Sequence, residues 1–180
     1  MRHPLHVAFV WHMHQPYYLD VGGGDFLLPW VCLHAAKDYL HMVEVLEEYP
    51  RVHATFNMVP SLVEQMQMYI AGDAFDRAWR VSLQEQLSTE DKLYVDSLFF
   101  SINRDNFIRV YPRYWQLLRL REEARGDLEL LSETYWRDLV AWFNLAWIDP
   151  GWIHRDPALR ALVAKGSRFT VADVGTILSK

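Results

Sequence analysis

The chain has 180 residues, of which 51% are hydrophobic and 23% are charged, and its formal net charge is -5. This acidic balance, without a basic tract, argues against nucleic-acid binding, because phosphate backbones are bound through clustered lysine and arginine. No stretch approaches the roughly 20 apolar residues of a membrane span, and a single cysteine, Cys32, excludes an internal disulfide framework, so we expect a cytoplasmic protein.

The first predicted element is a strand, the apolar run His6–Trp11, which turns polar at His12, His14 and Gln15 and stops at Pro16. A short apolar run rich in Val, Phe and Trp is typical of a strand that is buried on both faces. In α/β sheets, ligands bind just beyond the carboxyl ends of parallel strands. We therefore expect His12 and His14 to belong to a ligand site.

A loop with Gly22–Gly24 at its tip leads to a helix predicted at about residues 33–49, which Pro50 ends. Residues 52–59 form a second apolar strand, and the strand–helix–strand order predicts a right-handed βαβ unit with parallel strands. Asn57 then lies at a position equivalent to that of the histidines and is expected to face the same crevice.

From residue 61 onward the sequence turns almost wholly helical. Ser61 and Glu64 have the spacing of a capping box, which predicts a helix start directly after the second strand. Asp156 and Gly166 would bound a later helix, and Thr170 would cap the last one. Further helices are expected near residues 61–71, 75–86, 89–104, 112–124 and 133–147, and residues 61–150 roughly form a helical insertion.

Two parallel strands leave backbone groups unpaired at both edges, and two-stranded units are marginal in water. No third strand of comparable strength follows residue 60. The sequence therefore predicts the front part of a larger α/β domain. The alternative is a compact, mostly helical protein with a small two-stranded sheet.

His12 and His14 alternate along a strand, so their side chains should point to one face. Such a pair can chelate zinc, but a catalytic zinc normally needs a third protein ligand, and none follows a recognisable pattern here. The imidazoles and the Gln15 amide would also suit hydrogen bonding to a polyhydroxyl ligand. A third possibility is that backbone carbonyls satisfy the histidines.

Glycoside hydrolysis requires a positioned pair of carboxylates. Several glutamates sit on predicted solvated helix faces, and none of them follows an apolar strand, where a barrel enzyme would place it. They are Glu44, Glu47, Glu48, Glu64, Glu85 and Glu90.

Several motifs in order resemble the N-terminal part of glycoside hydrolase family 57. They are Val10–Pro16, Leu28–Trp30, Leu33–Tyr39, Thr55–Leu62, Tyr111–Tyr114 and Trp142–Pro150. The resemblance implies an α/β fold, the N-terminal portion of an incomplete (β/α)7 TIM-like barrel, with residues 1–180 forming part of one catalytic domain. It also implies a retaining reaction on α-glucans, as in α-amylases, amylopullulanases, branching enzymes and 4-α-glucanotransferases, without a cofactor or a catalytic metal.

In that family the histidine of the His-Gln-Pro motif, here His14-Gln15-Pro16, lies at the sugar-binding site. The nucleophilic glutamate and the acid/base aspartate come from later strands and have no matching positions here, so no catalytic residue is assigned. We expect His12, His14 and Asn57 to line a crevice for an α-glucan or maltooligosaccharide, with Trp30 and Trp147 stacking on the sugar or lining the crevice. The isolated chain is predicted to be inactive.

Two other functions remain open from the sequence. A metal-dependent hydrolase or deacetylase would use His12 and His14 as ligands, and a non-enzymatic helical binding module would use neither.

Overall fold

The computed structural model describes residue 3 and residues 5–180. The chain divides into two compact units, with the boundary between Phe75 and Asp76. The first unit combines a small parallel sheet with helices, which is consistent with the α/β class.

The sheet of the first unit has two strands, β1 (Phe9–Met13) and β2 (Ala54–Met58), which pair in parallel. In this register His12 lies opposite Asn57. The predicted parallel pairing of these two segments is therefore confirmed.

The connection between the strands contains one continuous helical segment with three parts. These are α1 (Trp30–His34), a π-helical turn (Ala35–Tyr39) and α2 (Leu40–Glu47). In a π-helical turn each hydrogen bond spans five residues instead of four, and such turns are rare in proteins. The helix α3 (Pro60–Ala71) follows β2 after a single intervening residue.

One face of the sheet packs on these helices. Met13, Val31 and Leu62 form the buried centre, and Phe56 and Tyr39 are among the partly buried residues around it. The ring of Trp11 packs edge-on against Phe56, with centroids 5.2 Å apart.

The expectation that both faces of the first strand are buried is wrong. Val10 is 61% exposed and Phe9 is 56% exposed, and His12 and Asn57 are exposed as well. The apolar run does contain the residues that a doubly covered strand needs, but in the structure the helices of this unit cover only the face that carries Met13 and Phe56.

The second unit is built from helices. Its α-helices are α4 (Arg77–Ser82), α5 (Thr89–Leu98), α6 (Pro112–Ala124), α7 (Glu133–Ala146), α8 (Pro150–Arg155), α9 (Pro157–Lys165) and α10 (Val171–Leu178). A π-helical turn (Arg104–Ile108) and a short 3-10 helix (Leu128–Leu130) lie between them.

Helix α7 is the centre of the second unit. Every residue from Leu139 to Ala146 is buried, and the helix packs against α6 and α10. A helix that is apolar on all sides is typical of a core position. The carboxylate of Asp138 in this helix is fully buried and accepts hydrogen bonds from Arg113 Nε, at 2.8 Å, and from the Phe169 N–H, at 3.0 Å.

The helix boundaries expected at residues 112–124, at Asp156 and Gly166, and at Thr170 are confirmed. The capping box expected at Ser61 is wrong, because α3 begins at Pro60 with Val59 as its N-cap and no side chain caps it. Proline suits the first helical position because its φ is already helical and it lacks an N–H. The Ser61 hydroxyl instead donates to the Gln15 carbonyl at 3.5 Å.

Within the described part of the chain, no helix combines the length and the apolar character that crossing a membrane requires.

Candidate functional site

The uncovered face of the sheet carries three of the five predicted site residues. His12 and Asn57 are neighbours across the strand pair, and His14 follows two residues after His12. The imidazole rings of His12 and His14 are nearly parallel, with centroids 5.7 Å apart and an interplanar angle of 17°. The structure thus brings two imidazoles and one amide together on an exposed surface at the carboxyl end of β1.

A hydrogen bond from Tyr39 holds the backbone of His14 in place. The Tyr39 hydroxyl donates to the His14 carbonyl at 3.3 Å and accepts from Gln15 Nε2 at 3.1 Å. The Gln15 Oε1 in turn accepts from the Tyr18 hydroxyl at 3.2 Å. The Gln15 amide, which would suit hydrogen bonding to a polyhydroxyl ligand, forms hydrogen bonds to tyrosine hydroxyls through both its nitrogen and its oxygen.

The π-helical turn explains how Tyr39 reaches this place, because Tyr39 is its last residue. The extra residue in the turn changes the direction in which the following side chains leave the helix axis. Tyr39 therefore contacts the end of β1 and also packs against the core of the first unit.

A buried glutamine holds the segment that follows β1. Gln65 in α3 is fully buried, and its Nε2 donates to the Pro16 carbonyl at 3.0 Å. Its Oε1 accepts from the Tyr18 N–H at 2.7 Å. The chain from Pro16 to Tyr18 is thereby fixed to α3 through a side chain instead of through a third strand.

Trp30 is linked to the histidine pair by a row of side chains. Its ring lies 6.2 Å from that of His34, and the His34 ring lies 6.2 Å from that of Tyr39, which contacts His14. His34 Nδ1 bonds to Asp38 Oδ2 at 2.5 Å, and Lys37 pairs with the other carboxylate oxygen. The partly exposed rings of Trp30, His34 and Tyr39 therefore form a continuous row that ends at the backbone of His14.

The charge of Asp38 is stabilised by these neighbours. Burial by itself raises the pKa of this carboxyl group, but the hydrogen bonds and charges of His34 and Lys37 outweigh it, so the pKa of Asp38 lies below its ordinary value. Asp38 is therefore an anion that orients His34 and Lys37.

Trp147 belongs to the second unit and is only 5% exposed, directly after the end of α7. Its burial among the helices of that unit indicates a packing role there. Its assignment as a sugar-lining residue stays a prediction.

Sequence reasoning missed Tyr39 and Gln65 as residues that shape the site. Leu62, Met66 and Tyr69 form the apolar stripe of α3, and Gln65 lies within that stripe. A polar residue at a position where the helix pattern calls for an apolar one is the sequence signal that points to Gln65. Tyr39 is the last residue of the Leu33–Tyr39 motif, but the hydrophobic pattern gives it no comparable signal, because the π-helical turn that directs it follows no rule of spacing.

Among the described residues, no group of three or more His, Cys, Asp or Glu side chains is arranged to hold a metal ion. The residues that directly follow the strands are His14–Pro16 after β1 and Val59–Ser61 after β2, and none of them carries a carboxylate.

Comparison with known protein families gives a match over most of the chain. The family model described as glycosyl hydrolase family 57 matches residues 8–156. The matched range includes both strands, the row from Trp30 to His14 and most of the second unit. No curated protein matches the chain, and no solved structure matches it either.

Proposed function

The chain belongs to glycosyl hydrolase family 57, and on this premise we propose that the uncovered sheet face is one wall of a crevice that binds α-glucans. Membership of this family indicates a glycoside hydrolase or transglycosylase with a glucan-type carbohydrate substrate. The observation that carries the proposal is the exposed group of His12, His14 and Asn57 at the carboxyl end of the sheet.

The chemistry of this group fits a sugar. Each neutral imidazole offers one donor and one acceptor, and the asparagine amide offers both, so that adjacent hydroxyl groups of one glucose unit can be bound in pairs. Trp30 is partly exposed at the other end of the same row and supplies an aromatic face for stacking. The backbone of His14 is fixed by Tyr39, which lowers the entropy cost of ordering the site when a ligand binds.

We further propose that the reaction is a retaining one on an incomplete (β/α)7 barrel, and that its nucleophile and acid/base carboxylates belong to strands other than β1 and β2. In support, no carboxylate follows either strand directly, and both edges of the two-stranded sheet can accept further strands. On this proposal the isolated 180-residue chain binds the glucan and does not cleave it.

The test is a titration of the full chain with maltoheptaose, followed by calorimetry, in parallel with an assay for reducing-sugar release. We expect binding without turnover. His14→Ala and Asn57→Ala should each weaken the Kd about three- to tenfold, because each removes one or two hydrogen bonds. The matched control is His53→Ala, since His53 is an exposed histidine of the same unit that precedes β2.

Measurable turnover by the isolated chain would overturn the assignment of the carboxylates to other strands. Equal losses in the His14 and His53 variants would overturn the crevice. Stoichiometric zinc that stays bound through dialysis and is lost in His12→Ala would favour a metal-dependent hydrolase instead.

A further inference from the structure

The second unit contains a cavity of about 690 Å³ that the function proposed above does not use. It lies where the start of α6 meets α7 and the end of α9, and all of its lining residues belong to this unit. A volume of this size falls within the ordinary range of small-ligand sites.

The apolar part of the cavity lining consists of two aromatic side chains together with Val110, Pro112 and Val163. The rings of Tyr111 and Trp142 lie with their centroids 4.7 Å apart and their planes inclined by 33°. The indole N–H of Trp142 donates to the Gly166 carbonyl at 2.9 Å, which fixes both the ring and the chain at the end of α9. Trp142 is only 2% exposed, so the partly exposed ring of Tyr111 is the aromatic surface that a ligand can reach, and Trp142 holds this ring in place before any ligand arrives.

Both cationic groups of the cavity are neutralised. The Arg113 guanidinium is bound by the buried carboxylate of Asp138, with 2.7 Å between Nη2 and Oδ2, and Lys165 pairs with Asp173 at 2.5 Å. Because these charges are already compensated, the cavity offers little to an anionic ligand such as a nucleotide.

Neutral hydrogen-bonding groups remain. Gln116 accepts from Arg113 Nη1 at 2.7 Å through its Oε1, which leaves its amide N–H groups for a ligand. In the part of the chain that the structure describes, the hydroxyls of Tyr111 and Ser167 have no hydrogen-bond partner. Burial raises the pKa of the Tyr111 phenol, so that this hydroxyl stays protonated and can donate.

We propose that this cavity is a second carbohydrate-binding site, which holds a neutral glucan segment on the Tyr111 ring, backed by the buried Trp142, with Gln116 and Ser167 bonded to its hydroxyls. A fixed aromatic surface surrounded by uncharged donors and acceptors fits a sugar ring, which is apolar on its faces and carries hydroxyls at its edge. The choice of a glucan over other neutral sugars rests on the proposed function.

The test uses indole N–H resonances in NMR spectra of the full chain during titration with maltoheptaose. Trp142 reports on the cavity and Trp30 reports on the crevice of the first unit, so the two proposals are read separately. We expect the Trp142 resonance to shift in a saturable way. Gln116→Ala and Tyr111→Ala should each weaken the fitted Kd for this shift, by about threefold and about tenfold respectively.

Trp152→Ala is the matched control, because Trp152 is 37% exposed in the same unit and lies outside the cavity. It should leave the Trp142 titration unchanged. Since Tyr111→Ala removes a packed ring, Tyr111→Phe serves as the folded reference, which keeps the aromatic surface and loses only the hydroxyl.

A shift of Trp30 without a shift of Trp142 would overturn the second site and leave the crevice standing. A shift of Trp142 alone would support the second site and contradict the crevice. If Trp142 responds to a proline-rich peptide and not to maltoheptaose, the cavity is a peptide-binding site and the inference is wrong.

Discussion

At the scale of single residues, Asp138 supports the second unit more than any surface charge does. Its carboxylate is fully buried and is satisfied by Arg113 and by the Phe169 N–H. We predict that Asp138→Ala lowers the free energy of unfolding by about 3–5 kcal/mol, because the largely buried Arg113 guanidinium and the buried Phe169 N–H both lose their carboxylate partner. Urea denaturation followed by circular dichroism measures the change.

The control for this prediction is Asp105→Ala. Asp105 pairs with Arg109 at 2.7 Å, but the two side chains are 71% and 54% exposed. The expected loss is below about 1 kcal/mol, since exposed ion pairs contribute little. Similar losses in both variants would contradict the role assigned to the buried carboxylate.

Asp38 makes the stability of the first unit depend on pH. Its pKa is lowered in the folded state, because the bonds from His34 and Lys37 outweigh its burial. Its stabilising contribution is therefore complete above the unfolded-state pKa of about 3.9 and is lost as the pH falls through the lower folded-state pKa. We predict that Asp38→Asn destabilises the protein at neutral pH and flattens the decline of the unfolding midpoint below about pH 4.

Urea midpoints at a series of pH values for both proteins provide the measurement. If the two curves stay parallel throughout the acid range, Asp38 does not carry this part of the pH dependence.

How far the sequence predicts the site depends on the kind of residue. That His12, His14 and Asn57 share one face could be predicted, because they lie at the carboxyl ends of apolar strands and strand parity puts them on one side, whereas their role in binding stays a prediction. Gln65 and Tyr39, which hold the backbone near His14 in place, are harder to predict from the sequence, because their contacts join distant parts of the chain. No local rule of spacing connects residue 39 with residue 14.

At the scale of elements, two capping signals had different outcomes. Thr170 caps the last helix as predicted and forms a complete capping box, since its Oγ1 accepts from the Asp173 N–H at 3.1 Å and the Asp173 carboxylate accepts from the Thr170 N–H at 2.6 Å. We predict that Thr170→Ala destabilises the protein by about 0.5–2 kcal/mol. Ser61→Ala should change stability by less than about 0.5 kcal/mol, because Ser61 caps no helix.

Thermal melts of the two variants, made side by side, are the measurement. An equal loss in both would mean that the Ser61 hydroxyl contributes as much through its bond to the Gln15 carbonyl as a true cap does.

The helix boundaries that the sequence predicted most accurately are those marked by proline or glycine. Proline at the first position and glycine after the last define α9, and Pro112 defines the start of α6. The burial of β1 was predicted wrongly for a physical reason. The hydrophobicity of β1 indicates that both of its faces can be buried, but it does not determine how many faces other elements cover. The helices of this unit cover only one face.

At the scale of the whole molecule, the two units differ in how well their centres are protected. In the second unit, α7 is fully buried from Leu139 to Ala146, whereas β1 is open on one face. We predict that amide hydrogens of β1 and β2 exchange at least about a hundredfold faster than those of α7, because local opening of the sheet exposes little additional apolar surface. Hydrogen–deuterium exchange followed by mass spectrometry separates the two regions.

Equal protection of the sheet and α7 would indicate that both units unfold together. A further rise in sheet protection on adding maltoheptaose, without a rise in α7, would support the crevice of the first unit.

The π-helical turn at Ala35–Tyr39 makes the number of residues in this connection as important as their identity. Successive residues of an α-helix are rotated by about 100°, so deleting one residue before Tyr39 would restore ordinary helical geometry and turn the tyrosine away from His14 and Gln15. A substitution changes the contacts of one side chain. A deletion would rotate all the residues that follow it about the helix axis, relative to the residues before it. The segment should therefore accept changes of residue type far more readily than changes of length.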